Sequence, residues 1–286
     1  MKVLVGVDKS PESHTALAYV CHLLEHFDAD VHAIYVKPDE VQIAPESFYA
    51  PFFSKEGLER WLDSEALQVR TGAASKCEYC LAGKVPCEPL IAEGDPAETI
   101  LEQAEDGKYD MIVLGSHGLS YLRGFLLGTV HAKILHNANK PVLIVRDFRE
   151  IKKVLVAYRG SSCDQQALEF IARLLARKRP EITILHVQEA RDGENKKSAE
   201  ACLITGHETL RTFGHEPVIK TLRGDFVDEI LKEVRGSLYD LIVLGAYGHR
   251  KPRFLQLISD EALNLVRSTT LPVLVFRDNS SERTKR

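Results

Sequence analysis

Three glycines and a threonine carry the most suggestive chemical spacing in the chain. They are Gly115, Gly118 and Gly128, with Thr129 directly after the last, in LGSHGLSYLRGFLLGT (Leu114 to Thr129). Residues without a Cβ let backbone N–H groups turn towards an anion at close range. Thr129 belongs to the residue types that cap helices, and a helical pattern opens at Val130. Phosphate oxygens could then meet free first-turn amides, the hydroxyl and the positive end of the helix dipole. His117 and Arg123 add donors, and Arg123 adds charge. A glycine-rich turn that only joins strand to helix would use the same residue types.

The parts of an efficient phosphoryl-transfer enzyme are missing. The chain has no GxxxxGKS or GxxxxGKT loop and no kinase HRD or DFG set, and Asp110 lies at the wrong end of its strand to support a metal. Phosphoryl transfer depends on positioning and charge neutralisation, so slow hydrolysis or self-phosphorylation, with Thr129 or Ser116 as nearby acceptors, stays open. A second chemistry sits in KCEYCLAGKVPC, with Cys77, Cys80 and Cys87. A Cys-x2-Cys pair can chelate zinc or cycle as a dithiol, but no matching second pair completes a zinc site. Reduced thiols, in a loop and at a strand start, are the plain expectation; metal or redox sensing is the functional alternative. Cys21 and Cys202 fall in helical patterns as core or near-core residues.

The elements that must position these residues are written twice. KVLVGVDKS (Lys2 to Ser10) returns as KVLVAYRGS (Lys153 to Ser161), and YDMIVLGSHG (Tyr109 to Gly118) as YDLIVLGAYG (Tyr239 to Gly248). EGDPAETIL (Glu93 to Leu101) returns as RGDFVDEIL (Arg223 to Leu231), and KPVLIVRD (Lys140 to Asp147) as LPVLVFRD (Leu271 to Asp278). The order is kept, so the chain is a tandem duplication, with expected domains at residues 1–148 and 152–278.

In the first half the predicted strands are Val3 to Val7, Val31 to Val36, Cys87 to Glu93, Met111 to Gly115 and Val142 to Arg146. Predicted helices cover Pro11 to His26, about Gly57 to Ser75, Pro96 to Glu105 and Val130 to Asn137, with Asp95 as an N-cap. Strands apolar nearly throughout are buried on both faces, which implies a parallel sheet covered by helices. Each half is therefore expected to be a doubly wound, five-stranded α/β unit with its ligand site beyond the C-terminal strand ends. An insertion, Asp39 to Gly57, and the segment around Cys77 to Val85 read as a packed surface loop or as a lid. NSSERTKR at the C-terminus reads as a frayed tail.

With these motifs in place, the whole chain resembles a tandem universal stress protein. The Gly115-x2-Gly118-x9-Gly128-Thr129 spacing matches that family's ATP-binding signature, and the VGVDKS opening, GDPAETIL and PVLIVR match as well. The resemblance implies an adenine-nucleotide alpha-hydrolase-like, flavodoxin-like sheet and an ATP-binding, nucleotide-responsive protein of stress response, with or without Mg2+. It implies that Asp8 and the backbone at Val36 hold the adenosine. It further implies that Gly115, His117, Gly118, Gly128, Thr129 and Val130 hold the phosphates. Asp8 beside Ser10 and Pro11 also has the plain reading of a turn or cap residue. The apolar strands PVLIVR and PVLVFR would pair across a pseudo-twofold as they do between family protomers, giving an intramolecular pseudo-dimer; a further homodimer is allowed but not required.

The second half departs from the pattern. Nine residues after Gly248 stand Ile258 and Ser259, followed by Asp260 and Glu261, and Arg159 replaces Asp8. Carboxylates in a first helical turn suit the dipole themselves and repel phosphate. Arg250, Lys251 and Arg253 read as a solvated charged loop, stiffened by Pro252. One nucleotide site, in the first half, is therefore the expectation.

Bulk properties bound the rest. The chain has 286 residues, 44% hydrophobic and 27% charged, with a net charge of -4. That balance argues against nucleic acid as a partner. No apolar run reaches membrane-spanning length, and MKVLVGVDKSPES enters a strand pattern directly, so the expected compartment is the cytoplasm.

Overall fold

Short aliphatic runs form the centre of the molecule. A computed structural model describes residues 1–37, 63–75, 87–116, 128–189, 196–245 and 260–276. The first half runs β1 (Lys2–Gly6), α1 (Pro11–Leu24), β2 (Asp30–Lys37), α2 (63–75), β3 (Cys87–Glu93), α3 (Pro96–Asp106), β4 (Met111–Gly115), α4 (Thr129–Asn137) and β5 (Val142–Val145). The second runs β6 (Lys153–Ala157), α5 (Ser162–Leu175), β7 (Glu181–Gln188), α6 (Lys196–Thr212), β8 (Val218–Arg223), α7 (Phe226–Gly236), β9 (Leu241–Gly245), α8 (Asp260–Ser268) and β10 (Val273–Phe276). The two loop segments that lengthen the first half and the C-terminal tail lie outside the described residues.

The ten strands among the described residues join one sheet, in the order β3-β2-β1-β4-β5-β10-β9-β6-β7-β8. Pairing within each half is parallel, and alternation along a strand sends side chains to opposite faces. Val3 and Val5 meet α1, while Leu4 lies in the layer under α3 and α4. The central strand β4 is buried at every position, which is why it reads as an unbroken apolar run. The edge strands β3 and β8 alternate instead, with exposed residues between half-buried ones.

The halves meet as the sequence leads one to expect. β5 and β10 pair antiparallel, with Leu143 facing Leu274, Val142 facing Val275 and Ile144 facing Val273. Leu143 and Leu274 are counterparts in the repeat, so a local twofold passes between them. Two polar contacts cross the same boundary. Arg146 donates from Nη2 to the Val266 carbonyl at 3.0 Å, and Lys178 on α5's side donates to Glu25 at the end of α1. That bond, above all, holds the Glu25 carboxyl below its usual range.

Helix starts follow their sequence signals. Asp95 caps α3 by accepting the Ala97 and Glu98 amides, each at 3.0 Å, and Asp225 repeats the device for α7. Asp110, at the N-terminal end of β4, accepts the Lys2 amide at 2.7 Å and so fixes where β1 begins.

Candidate functional site

Within a half the strand order turns back between β1 and β4, and in sheets of this class such a switch leaves a crevice beyond the C-terminal strand ends. β1 leads to α1 on one face of the sheet and β4 leads to α4 on the other.

The β1–α1 connection is locked by short polar contacts. Asp8 Oδ1 accepts the Ser10 amide at 2.9 Å and also the Ser10 hydroxyl. Ser10 in turn caps α1, accepting the Ser13 amide, and the Ser13 hydroxyl donates to the Asp8 carbonyl at 2.9 Å. Asp8 is thus a turn residue, as its plain reading has it. Both side-chain bonds end on Oδ1, so Oδ2 keeps its accepting capacity. In β2, the Ile34 carbonyl accepts the Val7 amide at 2.9 Å. Val36, two residues on, points its backbone groups to the same side, where β1 has already ended.

Gly115 closes β4, and its lack of a Cβ has a packing cause. A Cβ there would stand 2.6 Å from the backbone carbon and oxygen of Glu12 and 2.7 Å from the Ser13 nitrogen. The glycine lets the first turn of α1 rest on the strand end. Gly245 does the same work in the second half, where a Cβ would meet the Asp164 amide at 2.9 Å.

α4 corrects one expectation. Thr129 is already the first helical residue, and the N-cap is Gly128, at φ -61 and ψ 160, with no side-chain capping bond. A capping side chain must fold back from an extended residue that precedes the helix, and Thr129, being helical, cannot do so. The first-turn amides of Thr129 and Val130 are therefore left without a side-chain cap beside the strand end. Thr129 is exposed and Val130 half-buried. His117, Gly118 and Arg123 lie outside the described residues.

Two residues that sequence reading did not single out brace this crevice. His131, buried in the first turn of α4, places Nε2 on the Gly115 carbonyl and ties the helix start to β4. Its repeat counterpart is Ala262, so only the first half has the tie; that asymmetry was the available signal. Glu65, on α2 and only 4% exposed, accepts Lys9 Nζ at 3.0 Å and the Tyr35 hydroxyl at 3.3 Å. Burial, with the Glu65 carboxylate beside it, pushes the Tyr35 phenol up. Lys133 on α4 pairs with Asp95 at 3.1 Å, joining the starts of α3 and α4. Burial by itself would raise the Asp95 carboxyl, but the Glu98 amide and Lys133 prevail and hold it below its usual range.

The second half shows which positions share the crevice. Loop length first needs a correction: fourteen residue steps separate Gly115 from Thr129, but fifteen separate Gly245 from Asp260. The helix register therefore sets Ser259, not Ile258, opposite Gly128 and Glu261 opposite Val130, although Ile258, Ser259 and the basic run from Arg250 to Arg253 lie outside the described residues. Arg159, opposite Asp8, lies 4.0 Å over the Phe226 ring and 3.0 Å from Glu261 Oε2. Phe226 stands opposite Pro96. In the second half the counterparts of Asp8, Pro96 and Val130 thus meet at Arg159.

The cysteines divide differently from the expectation. Cys87, at the start of β3, is disulfide-bonded, whereas Cys77 and Cys80 lie outside the described residues. Cys21 and Cys163 are buried cysteines outside any disulfide, and Cys202 is a half-buried one. Among the described residues no group of three or more His, Cys, Asp or Glu side chains converges as a metal site, and no helix is long and apolar enough to cross a membrane.

Comparison with known proteins agrees with the repeat. The pattern of the universal stress protein family matches residues 1–146 and again residues 150–277. A universal stress protein of Synechocystis sp. is 27% identical over 295 residues, spanning 96% of this chain and 99% of the relative. One from Methanocaldococcus jannaschii is 34% identical over 148 residues, 51% of this chain and 81% of the relative. In fold, the crystal structure of a universal stress protein from Archaeoglobus fulgidus superposes with a TM-score of 0.76 at 22% identity, covering 98% of this chain and 97% of that one. The chain belongs to the universal stress protein family, with two of its domains in tandem.

Proposed function

We propose that the first half binds ATP, with or without Mg2+, and that the chain is a nucleotide-responsive regulatory protein of stress response, working in the cytoplasm. The observation that carries this reading is the start of α4. There a residue without a side chain leaves the first-turn amides uncapped, directly beside the end of β4. In this reading Asp8 Oδ2 and the Val36 backbone hold the adenosine, and Thr129 and Val130 offer their amides to phosphate oxygens. His117, Gly118 and Arg123 close the phosphate loop. Gly115 admits α1 to the strand end and brings its backbone beside the phosphates. Residues 1–148 and 152–278 act as the two units, and only the first takes nucleotide.

Titration of ATP into the purified full chain, followed by calorimetry, is expected to give one site per chain. Two equivalent sites, or no binding, would overturn the proposal. Phosphate release from the same samples should be slow, because no lysine is built into the loop and catalysis rests on positioning alone. Robust turnover would instead favour an ATPase or self-phosphorylating enzyme.

A second reading, cysteine-based redox sensing, is favoured by the disulfide at Cys87. Cys87 opens β3, which pairs along β2 up to Val36 and Lys37. If the disulfide is a sensor, a thiol reductant should expose new thiols to a colorimetric reagent in the native protein and change ATP affinity. An unchanged affinity after complete reduction would separate the disulfide from the nucleotide site.

A further inference from the structure

Three of the second half's departures from the repeat meet at one guanidinium. Arg159 replaces Asp8, Glu261 replaces Val130 and Phe226 replaces Pro96. The Arg159 side chain is 7% exposed, and its guanidinium spans the crevice from the Phe226 ring to the Glu261 carboxylate at the start of α8. A buried guanidinium without a counter-charge is strongly unfavourable, so each departure makes sense only with the others. The ring offers a cation–π face, the carboxylate offers charge, and the helix start favours a negative group at that place. Among the described residues Nε of Arg159 is buried without a partner, so the cation retains donor capacity inside the crevice.

We propose that the second half is a self-filled site, in which Glu261 holds the place of a ligand's phosphate and Arg159 laid on Phe226 holds the place of its nucleoside. This rests on the reading of the first-half crevice as a nucleotide site. The device is an internal ligand: it confines nucleotide binding to the first half and leaves the second as a rigid partner across the β5–β10 seam. Removing the Glu261 carboxylate should therefore not leave an inert hole. It should leave a buried, donor-rich cation facing helix amides, which is an anion site.

The test uses the full chain carrying Gly128→Val, so that the first-half response is removed, with Glu261→Ala, Glu261→Ser and Arg159→Ala/Glu261→Ala added to it. Thermal unfolding is followed in chloride and in inorganic phosphate at matched ionic strength. Glu261→Ala should melt lower than its parent in chloride and regain much of the loss in phosphate. Its phosphate affinity should be on the order of tenfold above that of the double variant, which lacks the cation. Glu261→Ser also empties the place while keeping a residue suited to a first helical turn, and should show the same phosphate response if the alanine variant does not fold. A response in neither variant, or one equally large in the double variant, overturns the self-filled site. Failure of the first-half reading appears separately, as absence of ATP binding in the unmodified chain.

Discussion

Gly115→Val is expected to lower the stability of the protein by about 1–3 kcal/mol or more, the range for overpacking a well-filled interior. Added atoms would stand 2.6 Å from backbone atoms of Glu12 and 2.7 Å from the Ser13 nitrogen. Backbone cannot rotate away as the tip of a flexible side chain can. Strand β4 cannot move either, because it is paired to β1 on one side and β5 on the other. α1 would have to lift, and with it the buried contacts of Leu17, Val20 and Leu24. Gly245→Val should behave alike, since a Cβ there would meet Asp164. The control is Gly236→Ala, where nothing lies within 4 Å and the change should stay within about 0.5 kcal/mol. Urea unfolding measures all three. If Gly115→Val unfolds at the control's midpoint, the close approach of α1 is not what requires the glycine.

This result would also sort the glycines of the family-like spacing. Gly115 and Gly245 are kept by both halves, whereas the glycine at the helix start occurs only in the first, with Ser259 opposite Gly128. A glycine that both halves need for the same close approach of a helix belongs to the scaffold. A feature confined to the first half is free to serve a ligand.

Much of the scaffold was legible because it is local. Buried parallel strands are apolar without interruption, caps such as Asp95 precede proline, and repeated segments keep their order, so strands, helices and the β5–β10 seam follow from short stretches of chain. The site was legible in its loops but not in its bracing. Glu65 looks like any glutamate on a helix face until α2 brings it to Lys9 and Tyr35. Arg159 and Glu261 are more than a hundred positions apart, and no periodicity joins them. Thr129 was misplaced by one residue because a cap and a first helical residue differ only in backbone dihedrals, which composition does not encode. At Cys87 the plain expectation is a reduced thiol, because cysteine spacing does not show which sulfurs the fold brings within bonding distance, but the residue is disulfide-bonded.

Gly128→Val should show the converse of Gly115→Val: a nearly unchanged fold and a large loss of ATP affinity. At φ -61 and ψ 160 the residue is in the extended region open to any amino acid, so no left-handed strain is relieved by glycine here. Valine is a poorer N-cap than glycine, which amounts to about 1 kcal/mol at most. His131 still ties the first turn of α4 to the Gly115 carbonyl and keeps the helix start in place. What changes is the surface in front of the amides. Two methyl groups on a β-branched carbon would stand where phosphate oxygens must come within hydrogen-bond range of the Thr129 and Val130 amides. Losing two such charge-assisted bonds, each worth about 1.5–3 kcal/mol, should weaken ATP binding by on the order of a hundredfold or more. Gly128→Ser, which gives the first half the residue standing at that point in the second, should weaken it less, because a hydroxyl can donate to phosphate but can also fold back and cap the helix itself. Calorimetric titration of both variants, with urea unfolding alongside, separates these effects. If Gly128→Val binds ATP as the unmodified chain does, the nucleotide does not sit on the start of α4. If the variant loses binding and stability together, the glycine is a folding requirement, and the division between Gly115 as scaffold and Gly128 as ligand contact is wrong.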